Sequence, residues 1–600
     1  MALKKSTIIL LIILGFFVVS GLFVILGIRA AFNNKPVVHK DSVLKITLSG
    51  LMTEHFAQDA VVRGFEGAHL QMFDLYQALA MAKRDDRIRG LYLKIDSPRI
   101  GWAKAQEIRN YIETFKNSGK FVVAFLQSCN ELSYYLALPA DEIYLQPHAS
   151  VALNGFAAEV PFLKRSLNKL GIQPEVENIG KYKSAGDVFK RDSMSAAQRE
   201  ATDALLTDIY DEFLDRVHSE RDIDSSTFAD ALNAGIFRSD EALKLGLVDS
   251  LIYETTVRDL LKRKVLGDST KDIAAKRLRL ISASRYSKIP PKEVGLGKGQ
   301  KIALVYAIGT IMPGGNGYDP IFGRNMGSEA MIKTLESANK NKSIKAIIVR
   351  VDSPGGSGVA SDRIWAEIEK VRKSKPVIIS MSDLAASGGY WIAMNSDAIV
   401  AQPLTITGSI GVVSTLFDLS GTYKKLGVVW ETVKKGDHAD MLTDKRPLTA
   451  EERKLFKEMT YDFYQTFVQK AAEGRNKTWD EIHKIAQGRV WTGVRAKQFG
   501  LVDSLGSLDL ALTIAKRKAK IDENAPVQWV VYPQPKGFLE TLLRELSVRV
   551  ASVFMPKARK WSLLDSLPRE MKSLLKEIAI VQQVRAGQMM AILPFVPEIR

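Results

Sequence analysis

Laid over itself at an offset of 256 residues, this chain of 600 residues matches its own second half, and that repeat constrains its fold more than any other feature. Lys94-Ile95-Asp96-Ser97-Pro98 falls on Arg350-Val351-Asp352-Ser353-Pro354. Tyr134, Ala137, Asp141, Ile143, Gln146, Pro147 and Gly155 meet identical residues at 390, 393, 397, 399, 402, 403 and 411. Lys169-Leu170-Gly171 meets Lys425-Leu426-Gly427, and after a two-residue slip Gly246–Leu251 meets Gly500–Leu505. One offset kept over such a span means two copies of one domain, at 43–257 and 299–520, which suits a length that a single core rarely serves. In the second copy, strands are expected at Lys301–Ile308, Ala346–Val351 and Pro376–Met381, with helices at Ser328–Asn339 and Val359–Lys373. This βαβα alternation predicts an α/β domain with a mainly parallel sheet. Runs such as Ile347-Ile348-Val349 fit strands buried on both faces.

The segments outside the repeats are of other kinds. Ser6–Ile28 holds 23 residues without a charge, enough helix to cross a ~30 Å hydrocarbon core. A cleaved signal peptide has a shorter apolar region, so an uncleaved signal anchor is expected. Lys4 and Lys5 favour an N-terminus inside and the body outside. The net charge of +17 sits mostly outside the repeats: 258–301 holds 13 Lys/Arg against 4 Asp/Glu, and 536–600 holds 11 against 6. A basic linker at 258–298 and a C-terminal extension at 521–600, partly an amphipathic helix around Phe538–Phe554, are the expectation. Attraction to anionic headgroups is the functional alternative to a solvated connector. No nucleic-acid recognition module accompanies the charge. The single cysteine, Cys129, excludes an intramolecular disulfide framework, and scattered histidines without HExxH leave a metal site unsupported.

The chemistry concentrates in the second copy. Ala385-Ala386-Ser387-Gly388-Gly389-Tyr390-Trp391 follows a strand and leads into an apolar run, setting a serine hydroxyl beside the free N–H groups of a helix start. The Gly388 N–H can stabilise an oxyanion there. Asp352-Ser353-Pro354-Gly355-Gly356 ends another strand, and its glycine N–H groups are candidates for a second donor. A serine needs a base. His438 and His483 stand in undistinguished settings, whereas a desolvated lysine can be neutral near pH 7. Gly180-Lys181-Tyr182-Lys183-Ser184-Ala185 in the first copy offers one. Lys181 and Lys183 would share a face of an extended segment, so spacing alone does not choose between them. Cys129 reads as a small buried hydrophobe, and Asp352, matched by Asp96 in the other copy, as a structural strand-end residue.

These segments, with Thr407-Gly408-Ser409-Ile410-Gly411 and Arg191-Asp192-Ser193-Met194-Ser195, resemble the signal peptide peptidase A (protease IV) family in its long tandem-domain bacterial form. The resemblance implies domains similar to the crotonase and Clp-protease fold, a ββα spiral, and a serine–lysine dyad without histidine or cofactor. It assigns Ser387 as nucleophile, Lys183 as general base and Ser409 as the serine that orients the lysine. Gly388 and Gly356 match the oxyanion-hole positions. It further implies remnant signal peptides as substrates, a homotetramer, and an extracytoplasmic body anchored in the bacterial inner membrane. Self-alignment adds that Ser387 falls on Glu131, Lys183 on Ala439, and Gly355-Gly356 on Arg99-Ile100, so each copy lacks the other's partner. Two other functions compete: a catalytically inactive membrane-tethered scaffold or peptide-binding protein, and a crotonase-like acyl-CoA enzyme.

Overall fold

The computed structural model describes residues 15, 36–54, 70–267, 277–319, 323–533, 589–592 and 598–599. The apolar stretch 6–28 and the helix expected around 538–554 lie outside these residues. Among the described residues no helix is long and apolar enough to cross a membrane.

Each repeat is built on a parallel sheet. In the first, the strands run in the order Arg279–Ser282, Ser42–Leu51, Ile88–Arg99, Phe121–Leu126, Glu142–Leu145 and Ser250–Leu251. In the second, the order is Val490–Thr492, Ile406–Gly408, Val377–Ala386, Ile344–Ser353, Gln300–Ile308 and Val527–Tyr532, with Ala398–Ala401 also on Val377–Ala386. Among the described residues only Val490–Thr492 pairs antiparallel there. The expected strands and helices of the second copy are present, with helices at Ser328–Lys340 and Gly358–Arg372. Ile347, Ile348 and Val349 are fully buried, which is why that strand carries no polar alternation.

Two segments read as connectors complete these sheets. Arg279–Ser282, within the expected linker, pairs parallel with Ser42–Leu51 and buries Ile281. Val527–Tyr532, within the expected C-terminal extension, pairs parallel with Gln300–Ile308 and buries Tyr532. Each repeat's sheet therefore takes one more strand than the repeat limits at 257 and 520 include. Flanking charges such as Arg277 and Arg279 mask the first of these strands in the sequence.

One hydrophobic cluster spans both repeats, Leu93, Ile95 and Ile108 packing in it with Leu304, Ile348 and Leu512, beside a second cluster built mostly from the second repeat. The helix Trp102–Lys116 lies at their contact and buries polar residues as well as apolar ones. Two of these have partners in the second repeat: Gln106 Oε1 accepts from Leu404 N (2.9 Å) and Glu107 Oε1 from Leu508 N (2.9 Å). Arg350 is enclosed by Glu54 and Glu107, so its buried charge is paired on two sides. A further sheet joins both repeats, with Gln173–Ile179 of the first antiparallel to Val412–Asp418 of the second. That sheet also holds Gly355–Ser357, with Met589–Ile592 paired antiparallel to it.

Candidate active site

Ser387 stands where the strand Val377–Ala386 gives way to the short helix Gly388–Trp391. Its φ of 56° is a strained conformation for a residue with a side chain. The backbone around it is fixed: Ser387 N donates to Gly408 O at 2.8 Å, and Thr407 Oγ1 to Ala385 O at 2.7 Å. The N–H groups of Gly388, Gly389 and Tyr390 form the first turn of the helix, whose start leaves such groups without an intrahelical acceptor. Ser387 is fully buried.

Lys183 reaches this serine from the other repeat. Its Nζ lies 2.8 Å from Ser387 Oγ, 3.0 Å from Ser409 Oγ and 3.3 Å from Ser409 O. The side chain is 1% exposed and has no carboxylate partner among its contacts. Burial therefore pushes the ammonium well below the ordinary lysine range, toward the neutral amine. Ser409 is held by its own N–H, which donates to Arg489 O at 2.7 Å, and by a φ of 50°.

The two lysines that spacing could not separate part company in the fold. Gly180–Gly186 is a turn rather than an extended run, so Lys181 and Lys183 do not share a face. Lys181 is exposed and reaches the Tyr182 hydroxyl (3.2 Å), while Lys183 turns inward. The turn docks on the second repeat, Tyr182 N donating to Gln487 O at 2.8 Å. Gly488, at φ 77°, packs against the Lys183 backbone. Sequence reasoning did not single out Gln487 or Gly488, because their role is a contact with residues some 300 positions away.

Gly356 ends the other glycine-rich segment. A Cβ there would lie 2.1 Å from Ile311 O, so only glycine lets Gly355–Ser357 pair with Thr310–Met312. Asp352, one turn upstream, is a structural residue as expected: its Oδ1 accepts from Leu384 N at 3.2 Å. Its other oxygen meets Lys104 Nζ of the first repeat at 2.6 Å, and the same ammonium lies 2.9 Å from Asp383. Asp383 also accepts from Gly101 N (3.1 Å) and Lys104 N (2.9 Å), capping the helix Trp102–Lys116 from across the interface. One lysine thus ties together the strand that leads to Gly356 and the strand that leads to Ser387. Its only sequence signal is a charge matched by Ala360 in the other copy.

The corresponding place in the first repeat is closed. Glu131, opposite Ser387 in the self-alignment, accepts from Asn154 N (2.7 Å) and Gly155 N (3.0 Å), and Leu153 stands where Ser409 would. Cys129 is buried, and burial pushes its thiol far up, away from the reactive thiolate. His483 binds the Tyr464 hydroxyl and stacks on Trp479, and His438 is exposed near Glu452. Among the described residues no cluster of potential metal ligands is found.

Known proteins match the chain over most of its length. The profile of "Peptidase family S49" matches twice, at residues 114–266 and 369–522. The chloroplastic serine protease SPPA of Arabidopsis thaliana is 37% identical over 551 residues, covering 92% of this chain and 78% of its own. Protease 4 of Salmonella typhi is 34% identical over 467 residues, 75% of this chain and 72% of its own. A putative signal peptide peptidase SppA of Enterococcus faecium is 35% identical over 196 residues, 32% of this chain and 57% of its own. With one match in each repeat and relatives that align along both, this chain belongs to peptidase family S49 and is a serine protease.

Proposed function

We propose that the chain is a membrane-anchored endopeptidase that cleaves remnant signal peptides and other short apolar peptides with a Ser387–Lys183 dyad shared between its repeats. The observation that carries the dyad is the 2.8 Å approach of Lys183 Nζ to Ser387 Oγ, both side chains being buried. A neutral amine there takes the Ser387 proton as Oγ attacks the peptide carbonyl. The Gly388 and Gly356 N–H groups stabilise the tetrahedral oxyanion. The lysine then gives its proton to the leaving amine, and an acyl-enzyme remains on Ser387. A water deprotonated by the same amine hydrolyses the ester, which returns the serine. Ser409, bonded to Nζ, orients the lysine throughout.

Main-chain pairing suits a peptide substrate. Met589–Ile592 runs antiparallel to Gly355–Ser357, with Ala591 opposite Gly356, which supports an extended backbone held at this edge. The Enterococcus relative's name supports signal peptides as the substrate class. The charge-free stretch 6–28 supports an anchor in the cell membrane, N-terminus in the cytoplasm and body outside. A ββα-spiral domain of the crotonase and Clp-protease kind and a homotetramer complete the proposal.

The test is turnover of a short apolar peptide ester by the detergent-solubilised protein, beside Ser387→Ala and Lys183→Ala. Loss of activity in both folded variants is expected, with a fluorophosphonate labelling Ser387 in the wild type alone. Full activity in Lys183→Ala would overturn the dyad, and an intact protein inert toward a broad peptide panel would overturn the peptidase reaction proposed here.

A further inference from the structure

The turn that carries Lys183 lies at the surface, with Lys181 exposed on it, yet it holds a buried amine against Ser387. Among the described residues Nζ bonds only to Ser387 and Ser409. A long side chain has many rotamers, and two hydroxyl partners at its tip do not fix the backbone that bears it. The turn needs a hold on its outer side as well.

That hold is Arg489, the residue before the strand Val490–Thr492 of the second repeat. Its Nη1 donates to the Tyr182 hydroxyl at 2.9 Å and to Glu200 Oε1 at 2.5 Å. Tyr182 donates in turn to the Glu200 carboxylate at 3.1 Å, so three side chains close a ring of hydrogen bonds. The guanidinium carbon also lies over the Tyr182 ring, 4.6 Å from its centre, and over the Trp491 ring, 4.4 Å from its centre. Tyr182 immediately precedes Lys183, and Glu200 comes from the helix Ala196–Arg221 of the first repeat. The Glu200 side chain is half exposed. An ion pair so open to water adds little to folding stability, so what this one supplies is position.

The same residue reaches the other side of the amine. Arg489 O accepts from Ser409 N at 2.7 Å, and Ser409 Oγ bonds to Lys183 Nζ. Trp491 packs on Gly408, where a Cβ would lie 2.9 Å from its Cδ1, and Gly408 O accepts from Ser387 N. Arg489 therefore touches the residue before the base and the serine that orients it. Through Trp491 it also supports the backbone of the nucleophile.

The repeat separates this clasp from the needs of the fold. Allowing for the two-residue slip, Arg489 corresponds to Gly235, Glu200 to Lys454 and Tyr182 to His438. Gly235 has no side chain, so these counterparts form no clasp. The first repeat keeps the backbone contact all the same: Ile236, the counterpart of Val490, bridges to Leu153.

We infer that Arg489 is a positioning residue for the serine–lysine chemistry, its clasp on Tyr182 and Glu200 holding Lys183 against Ser387 and keeping water from the amine. The inference rests on the dyad proposed above. Without the clasp the turn moves outward, water reaches Nζ, the ammonium form is favoured and Ser387 loses its base. Of the charged groups at the clasp, Lys181, Glu200 and Arg489, none bonds to Nζ, so the amine's own titration shapes the rate profile.

The test is the pH profile of kcat and KM for a short apolar peptide ester, measured on the full detergent-solubilised chain. Arg489→Met removes the donors and keeps a side chain beside both rings. Its kcat at pH 7 should fall tenfold or more with KM within about twofold of the wild type. The midpoint of its rate profile should move up toward the ordinary lysine value. Fluorophosphonate labelling of Ser387 should slow in proportion, because it draws on the same base. Tyr182→Phe and Glu200→Gln each remove one link and keep the packing, so each should show both changes at a severalfold level. These two carry the test if Arg489→Met does not fold. Wild-type rate and midpoint in the folded variants would overturn the inference. A lower rate with an unmoved midpoint would overturn it too, since that marks fewer folded molecules and not a displaced lysine. Full activity in Lys183→Ala would instead remove the dyad on which the inference rests.

Discussion

A Cβ on Gly488 would stand 2.4 Å from the Lys183 Cβ, so the second repeat's backbone fixes where the first repeat's lysine can sit. Gly488→Ala must push the Gly180–Gly186 turn away and also strain a φ of 77°, a cost of about 1 kcal/mol in its own right. The expected result is a fall in kcat of tenfold or more with KM little changed, read from steady-state turnover of a peptide ester. An unaltered kcat would show that the lysine tolerates displacement.

The pH dependence follows from the same lysine. Burial lowers the Lys183 pKa in the folded protein, so activity should climb with pH through that depressed value rather than through the ordinary one near 10.4. Stability has the same sign. Between the folded and unfolded pKa values unfolding takes up a proton, so stability rises with pH across that window. Lys183→Met should be inactive and should lose that slope, which thermal melts at a series of pH values would register. A wild-type rate that rises only near pH 10 would contradict a desolvated base.

Lys104 lies between Asp352 and Asp383, and the two carboxylates hold its ammonium well above the ordinary range despite burial. Lys104→Met leaves two half-buried carboxylates facing each other, a loss of about 3 kcal/mol, at the low end for broken buried pairs. Chemical denaturation should show it. Adding Asp383→Asn should recover part of the loss, and an additive double variant would mean that Lys104 acts elsewhere.

Glu131→Ser restores a serine to the first repeat without restoring a site. Leu153 and Ala439 stand where Ser409 and Lys183 would be needed, so no second serine should take a fluorophosphonate. The Asn154 and Gly155 N–H groups lose their acceptor, at a cost of about 1–3 kcal/mol. Peptide mapping of the labelled protein, with a melt beside it, tests both halves.

Local chemistry made much of this molecule legible. The repeat, the strand and helix alternation, and a serine followed by glycines at a strand end are all patterns within a few residues, and steric and periodic rules act at that range. Ser387 is legible in this way, and its strained turn matches its flanks of alanine and glycine. Asp352 reads as a strand-end residue because the copy without the serine keeps it as Asp96.

What lay beyond the sequence were contacts between distant residues. Lys181 and Lys183 are two positions apart and chemically alike, and only a turn pinned by Gln487 and Gly488 buries one and exposes the other. Arg279–Ser282 and Val527–Tyr532 become strands because an open sheet edge awaits them, not because their own residues insist on it. Lys104 carries no local sign of its task, since its two carboxylates lie about 250 and 280 positions away. The sequence by itself determined the repeated α/β domain and the serine at its strand end. Spacing left Lys181 and Lys183 equal and only the family resemblance picked Lys183; tertiary structure supplies the reason, because burial and partnership are set by packing across the repeat interface.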